Sequence, residues 1–309
     1  MKSFLFFIFH VQLAMVTGEP VFRQFTETKF SIFKILFGLE AAASDTPRCP
    51  NCYCGISNYG RSPRLDDGDY VRPAEYPWIV FINTKTQLKA GTLINDLYVI
   101  TSASNVYREI QYKIKIYLGK YQKCDSEKIQ LISGVSNVII HPGFIHQINI
   151  QDIALLQLTT RVEFNSHISP ICLPSPGASY VGKLGVVIGF IQDPSETVTG
   201  KINTCLPRKT ILPIVGQADC NRPIYSFELC LGVVGADNIV CAQDNGAGVI
   251  HKSETGSHEI AGVISDKQSC PPNENVYYSV KDLAVMTSLE PHLNWILDNT
   301  KDACYCTKF

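Results

Sequence analysis

Short apolar, β-branched runs separated by turn residues dominate the chain from Trp78 onward. They are WIVFIN, YVITSA, IKIYLG, ISGVSNVII, IALLQL, LGVVIGF, KTILPIV, GVI, IAGVIS and VYYSV. Val, Ile, Thr and Tyr in such runs suit a pleated, half-buried surface, and the Gly, Pro, Asn and Asp between them suit tight connections. No helical period repeats among them, so the pattern predicts an all-β antiparallel barrel or sandwich. A single helix is predicted near the C-terminal end. Met286, Leu289, Leu293 and Ile296 step by three, four and three residues, and Pro291, best tolerated in a first helical turn, places its start near Glu290.

The first residues have a different character. Lys2, the apolar run Phe4 to Phe9 and the small residues Val16-Thr17-Gly18 predict a secretory signal peptide over 1–18. A membrane anchor needs about 20 apolar residues in a row, and His10 and Gln12 interrupt the stretch. Residues 19–64 are expected to be a short prodomain carrying a Cys cluster. Phe30, Phe33 and Phe37 fall at helical spacing within it, but the segment reads as a propeptide stretch rather than a recognition helix. Its end, GISNYGRSPR, is turn-rich and basic, a composition suited to proteolysis. Residues 65–309 are expected to form the main domain.

Charge and cysteine content narrow the function classes. With 27 Lys+Arg against 28 Asp+Glu, the chain offers no electrostatic footprint for nucleic acid or an anionic membrane. Twelve Cys in an exported chain imply disulfides, and no His stands at finger-like spacing to the Cys clusters, so neither a metal nor a cofactor is expected. The expectation is a secreted, extracellular, monomeric protein.

Several blocks carry a family likeness: EYPWIV (75–80), GTLINDLYVITSAS (91–104), HPGF (141–144), DIALLQL (152–158), ICLP (171–174), LPIV (212–215) and CAQDNGAG (241–248). In this order and spacing they resemble the trypsin/chymotrypsin-like serine proteases over residues 65–309, and CYCG and NTKDACYC look like secreted arthropod members. The resemblance implies two six-stranded antiparallel β-barrels with a catalytic cleft between them and a C-terminal helix.

The same resemblance places Ser104 at the general base, Asp152 at the orienting carboxylate and Asn245 at the nucleophile. A serine hydroxyl does not accept a proton near neutral pH as an imidazole does, and an amide is no acyl-transfer nucleophile. Asp152 alone matches, and a structural role is expected for it, buried beside Ser265 with Ser104 as a further donor. His141, His146 and His251 are expected to be surface or packing residues. At the specificity pocket, Ile239 takes the base position and Asp266, Lys267 and Val276 take wall positions, next to Ser265, so a filled cavity is expected. Arg64-Leu65 matches the activation bond, with Asp244 as partner for the new amino terminus. The two carboxylates of Asp66 and Asp67 would resist its insertion.

The resemblance also implies the bridges Cys54–Cys172, Cys220–Cys230 and Cys241–Cys270. An added Cys124–Cys205 bridge is expected, and Cys49 and Cys52 would pair with Cys304 and Cys306 in either order. Two family bridges are absent at both ends, at Lys89/Asn105 and at Gly185/His251, which leaves no stranded thiol. The expectation is a non-catalytic homologue that acts by binding protein partners. A degenerate peptidase and an abundant structural or storage protein are the alternatives.

Overall fold

The computed structural model describes residues 47–58, 70–84, 87–122, 129–189, 205–234, 240, 244–265 and 283–308. Six strands close a first antiparallel barrel: β2 (Ile79–Asn83), β3 (Leu88–Leu93), β4 (Tyr98–Thr101), β5 (Lys115–Leu118), β6 (Leu131–Ile140) and β7 (Ala154–Leu158), in the order β2-β3-β4-β7-β6-β5. Six more close a second: β8 (Leu184–Gly189), β9 (Arg208–Val215), β10 (Glu228–Leu231), β11 (Gly248–Lys252), β12 (His258–Ile264) and β13 (Ala284–Ser288), in the order β10-β13-β12-β11-β8-β9. Closure removes the unpaired edges that would otherwise invite aggregation.

Alternation explains the local choices. In β5, Ile116 and Leu118 point into the barrel while Lys115 is exposed and Tyr117 half-buried, the period of two that a strand imposes. The larger core does not stop at the first barrel. It runs from Ile82, Leu93, Ile100, Ile116 and Leu155 through to Ile188, Ile250, Ile260, Leu289 and Ile296, so the junction between barrels is itself core. Trp78 is fully buried there, 5.8 Å from the Tyr76 ring and 5.4 Å from that of His258. A second cluster, including Leu212, Ile214, Val249 and Met286, fills the other barrel.

The C-terminal helix is shorter than its apolar spacing suggests. A 3-10 turn (Glu290–His292) with Pro291 at its start leads into α1 (Leu293–Asp298). The start near Glu290 agrees with the sequence. Met286 does not belong to it: it lies on β13, paired with Leu229 and Ile264. Strand pairing on both sides outweighs a spacing that continues into the helix by coincidence.

The first and last described strands, β1 (Arg48–Cys54) and β14 (Tyr305–Lys308), meet in a two-stranded parallel sheet. Cys49–Cys304 and Cys52–Cys306 cross it, and Cys54–Cys172 ties β1 to the segment between the barrels. A polar cluster seats the sheet on the first barrel. Arg161 pairs with Asp96, whose other oxygen accepts from the Cys304 backbone N–H at 2.9 Å. Asp302 accepts from Tyr98 Oη and Gln157 Nε2, both at 2.8 Å. Cys220–Cys230 is a further bridge, and no cysteine among the described residues is free. Cys205 is disulfide-bonded, but Cys124 lies outside the described residues, as do Cys241 and Cys270. So do residues 1–18, expected from the sequence to be a signal peptide, and Arg64 and Leu65.

Candidate functional site

β4 ends at Thr101, paired with Ala154 of β7, and the chain then turns through a 3-10 segment (Ala103–Asn105). That turn lies beside Asp152, two residues before β7's first residue. The Ser104 backbone N–H donates to Asp152 Oδ1 at 2.6 Å and its hydroxyl to Oδ2 at 2.8 Å. From the second barrel, Ser265 Oγ donates to Oδ2 at 3.0 Å and Thr287 Oγ1 to the Asp152 carbonyl at 3.4 Å. Asp152 has no exposed surface. Burial pushes its carboxyl above the ordinary aspartate range, and the hydrogen bonds from Ser104 and Ser265 pull the other way without cancelling it.

Asn245 is buried in the loop that leads into β11. The Asn105 side chain, next to Ser104, donates to the Asn245 carbonyl at 2.7 Å. Ser104, Asp152 and Asn245 are therefore held at one junction, with the two barrels joined across it. Beside it, Gly246 sits at φ 85°, and a Cβ there would lie 2.3 Å from both Asn105 Nδ2 and Thr101 Oγ1 and 2.5 Å from the Ala90 carbonyl. Asp244 is buried, its carboxylate so close to Gly189 that a Cβ on Gly189 would fall 2.0 Å from Oδ1. The pocket positions Ile239, Asp266, Lys267 and Val276 lie outside the described residues.

The chemistry of this junction follows from donors and acceptors. A hydrolytic relay needs an acceptor to deprotonate the nucleophile and a nucleophile for it to activate. Here Ser104 donates to the carboxylate, and the buried position beyond it carries an amide. His141, His146 and His251 are engaged elsewhere. His146 stacks on Tyr107, His141 packs edge-on against His292 and Trp295, and His251 Nδ1 lies 3.0 Å from the Leu184 carbonyl.

Asn105 is the residue that motif reading underrates. At its position the sequence signals only an absent half-cystine, yet its amide links the turn to the Asn245 loop. The other lost bridge has a similar outcome. Val186 pairs with Ile250, which sets Gly185 opposite His251, and a Cβ on Gly185 would already lie 2.7 Å from Val249.

No metal is expected at these residues. Among the described residues, the groups whose ligand atoms lie within 4.8 Å of one another are Cys49/Cys52/Cys306 and Cys49/Asp96/Cys304, and each of those sulfurs is in a disulfide. No helix among the described residues is long and apolar enough to cross a membrane.

Buried histidines give the junction a pH dependence. His258 Nδ1 donates to the Gly55 carbonyl at 3.0 Å, and burial lowers its pKa more than that contact raises it. Burial also lowers His292, and burial together with His292 lowers His141. The unfolded chain therefore binds protons that the folded chain refuses. This stability is present above the unfolded value of about 6.5 and is lost as pH falls through the lowered folded values. The melting temperature should drop more steeply for the wild type than for His258→Gln between about pH 7 and about 5. Parallel curves would remove His258 from this account.

The chain matches the trypsin family over residues 66–286. It is 28% identical over 243 residues to the inactive CLIP domain-containing serine protease A28 of Anopheles gambiae, covering 72% of this chain and 62% of that one. It is 29% identical over 243 residues to inactive CLIP domain-containing serine protease A8 of the same species, covering 70% and 65%. Rabbit (Oryctolagus cuniculus) vitamin K-dependent protein C, whose name carries no such qualifier, is 26% identical over 245 residues, covering 76% and 52%. The chain thus spans between about half and two-thirds of the length of these relatives. Two closed barrels, the aligned junction and the match over residues 66–286 lead to one conclusion: the chain belongs to the trypsin family.

Proposed function

We propose that this protein is a secreted, non-catalytic serine protease homologue that works by binding protein partners through its barrel surfaces and the rim of its cleft, as a modulator in a proteolytic pathway or a secretion. The observation that carries this reading is the direction of one hydrogen bond. Ser104 donates to Asp152 where a relay would need a base, and Asn245 stands where it would need a nucleophile. Loss of one such member costs on the order of a millionfold in turnover. The names of the two Anopheles relatives support the reading. A secreted setting suits the disulfides.

A fluorophosphonate probe tests it directly. The wild-type protein should remain unlabelled and should leave a panel of peptide substrates intact. Stoichiometric labelling would establish a reactive serine and overturn the proposal. The paired substitution Ser104→His with Asn245→Ser should still not cleave efficiently after Arg or Lys, because the pocket positions Ile239, Asp266, Lys267 and Val276 lack the residues that select basic side chains. Efficient cleavage there would refute the pocket argument while leaving the wild-type reading untouched.

A further inference from the structure

The clamp between β1 and β14 holds two disulfides closer together than fastening requires. β1 is not a regular strand. Its pairing with β14 slips between Arg48 and Tyr53, and Asn51, inside the slip, has φ 54°. In a regular strand Cys49 and Cys52, three residues apart, would be separated by about 10 Å and point to opposite faces. The left-handed residue instead turns Cys52 back, so that the sulfurs of Cys49, Cys52 and Cys306 all lie within 4.8 Å of one another. Cys306 lies on β14 and Cys304 immediately precedes that strand; two residues apart, their Cα atoms lie at most about 7 Å from each other, near the upper end of what a disulfide spans. Cys49 is buried, whereas Cys52 and Cys306 are partly exposed.

We propose that this cluster is a thiol–disulfide exchange centre that takes small thiols and converts the inter-strand pairs into the local pairs Cys49–Cys52 and Cys304–Cys306. An external thiolate attacks Cys306 Sγ, forming a mixed disulfide and releasing the Cys52 thiolate. Cys52 attacks the neighbouring Cys49 Sγ and expels the Cys304 thiolate. Cys304 then attacks Cys306 and expels the external thiolate. Two bonds form and two break, nothing is oxidised or reduced overall, and the thiol is regenerated. Exchange unties β14 from β1, while Cys54–Cys172 keeps β1 on the barrels. The polar seat, Asp96 with Arg161 and the Cys304 N–H, keeps Cys304 against the first barrel.

The test incubates the full chain with reduced glutathione, blocks free thiols with N-ethylmaleimide and maps disulfide-linked peptides without reduction. Cys49–Cys52 and Cys304–Cys306 peptides should appear together with no net gain in free thiol, while Cys54–Cys172 and Cys220–Cys230 persist. Asn51→Val, which disfavours the left-handed turn, should slow formation of the Cys49–Cys52 product about tenfold. The wild-type pairs persisting unchanged, or opening to four free thiols with no local pair, would overturn the proposal.

Discussion

Asp152→Ala is expected to destabilise the protein by roughly 3 to 4 kcal/mol, while Asp152→Asn changes stability by less than about 1 kcal/mol at neutral pH. The asymmetry follows from what surrounds the carboxylate. Alanine leaves the Ser104 N–H, the Ser104 hydroxyl and the Ser265 hydroxyl facing a void, and each buried donor without a partner costs about 1 to 3 kcal/mol. Asparagine keeps one accepting oxygen, and the serine hydroxyls can rotate to accept from its amide. Titration separates the two further. Because burial raises the folded Asp152 pKa, its contribution is present below the unfolded value and is lost as pH rises through the folded one. The wild type should therefore gain on Asp152→Asn as the solution is acidified. Urea midpoints at several pH values measure both effects. Equal losses for Asn and Ala would mean that the carboxylate is not the point on which the barrels are fastened.

Gly246→Ala should cost at least about 3 kcal/mol, against about 1 kcal/mol for Gly177→Ala. Both glycines have positive φ, 85° and 77°, so an L side chain meets a similar backbone penalty at each. They differ in surroundings. Nothing lies within 4 Å of a Cβ on Gly177, whereas one on Gly246 collides with Thr101, Asn105 and the Ala90 carbonyl of the opposite barrel. The difference between the variants therefore isolates the close approach of the barrels beside Asn245. Denaturant unfolding of the two variants provides it, and matching losses would refute the claim that this approach is tight.

Much of the double barrel can be read from local pattern, and the exceptions have physical causes. β2, β4 to β9, β11 and β12 coincide with β-branched apolar runs. β3 escapes the pattern because Lys89 and Gly91 interrupt it, although Gly91 is required by the Ile82 and Val99 side chains packed above it. β10 has only four residues and begins with Glu228. β13 imitates helical spacing because Met286 stands three residues before Leu289. β1 and β14 carry no strand signature at all, since RCPNCYC reads as a turn and its pairing spans more than 250 residues. At the junction, Ser104, Asp152 and Asn245 enter through aligned motif positions. The Asn105 contact does not, because a polar side chain at a lost half-cystine shows what has gone and not what its amide touches.

The parallel pairing of β1 with β14 also imposes an order on biosynthesis. Every strand of both barrels lies between Cys54 and Cys304, so a ribosome completes all twelve before it reaches the residues that β1 needs. During that interval Cys49 and Cys52 are without the partners they have in the folded chain. Asp96 and Tyr98 of the first barrel hold the segment that leads into this last strand, through the Cys304 N–H and Asp302. Closure of the clamp therefore marks a chain in which the residues of all twelve barrel strands have already been synthesised.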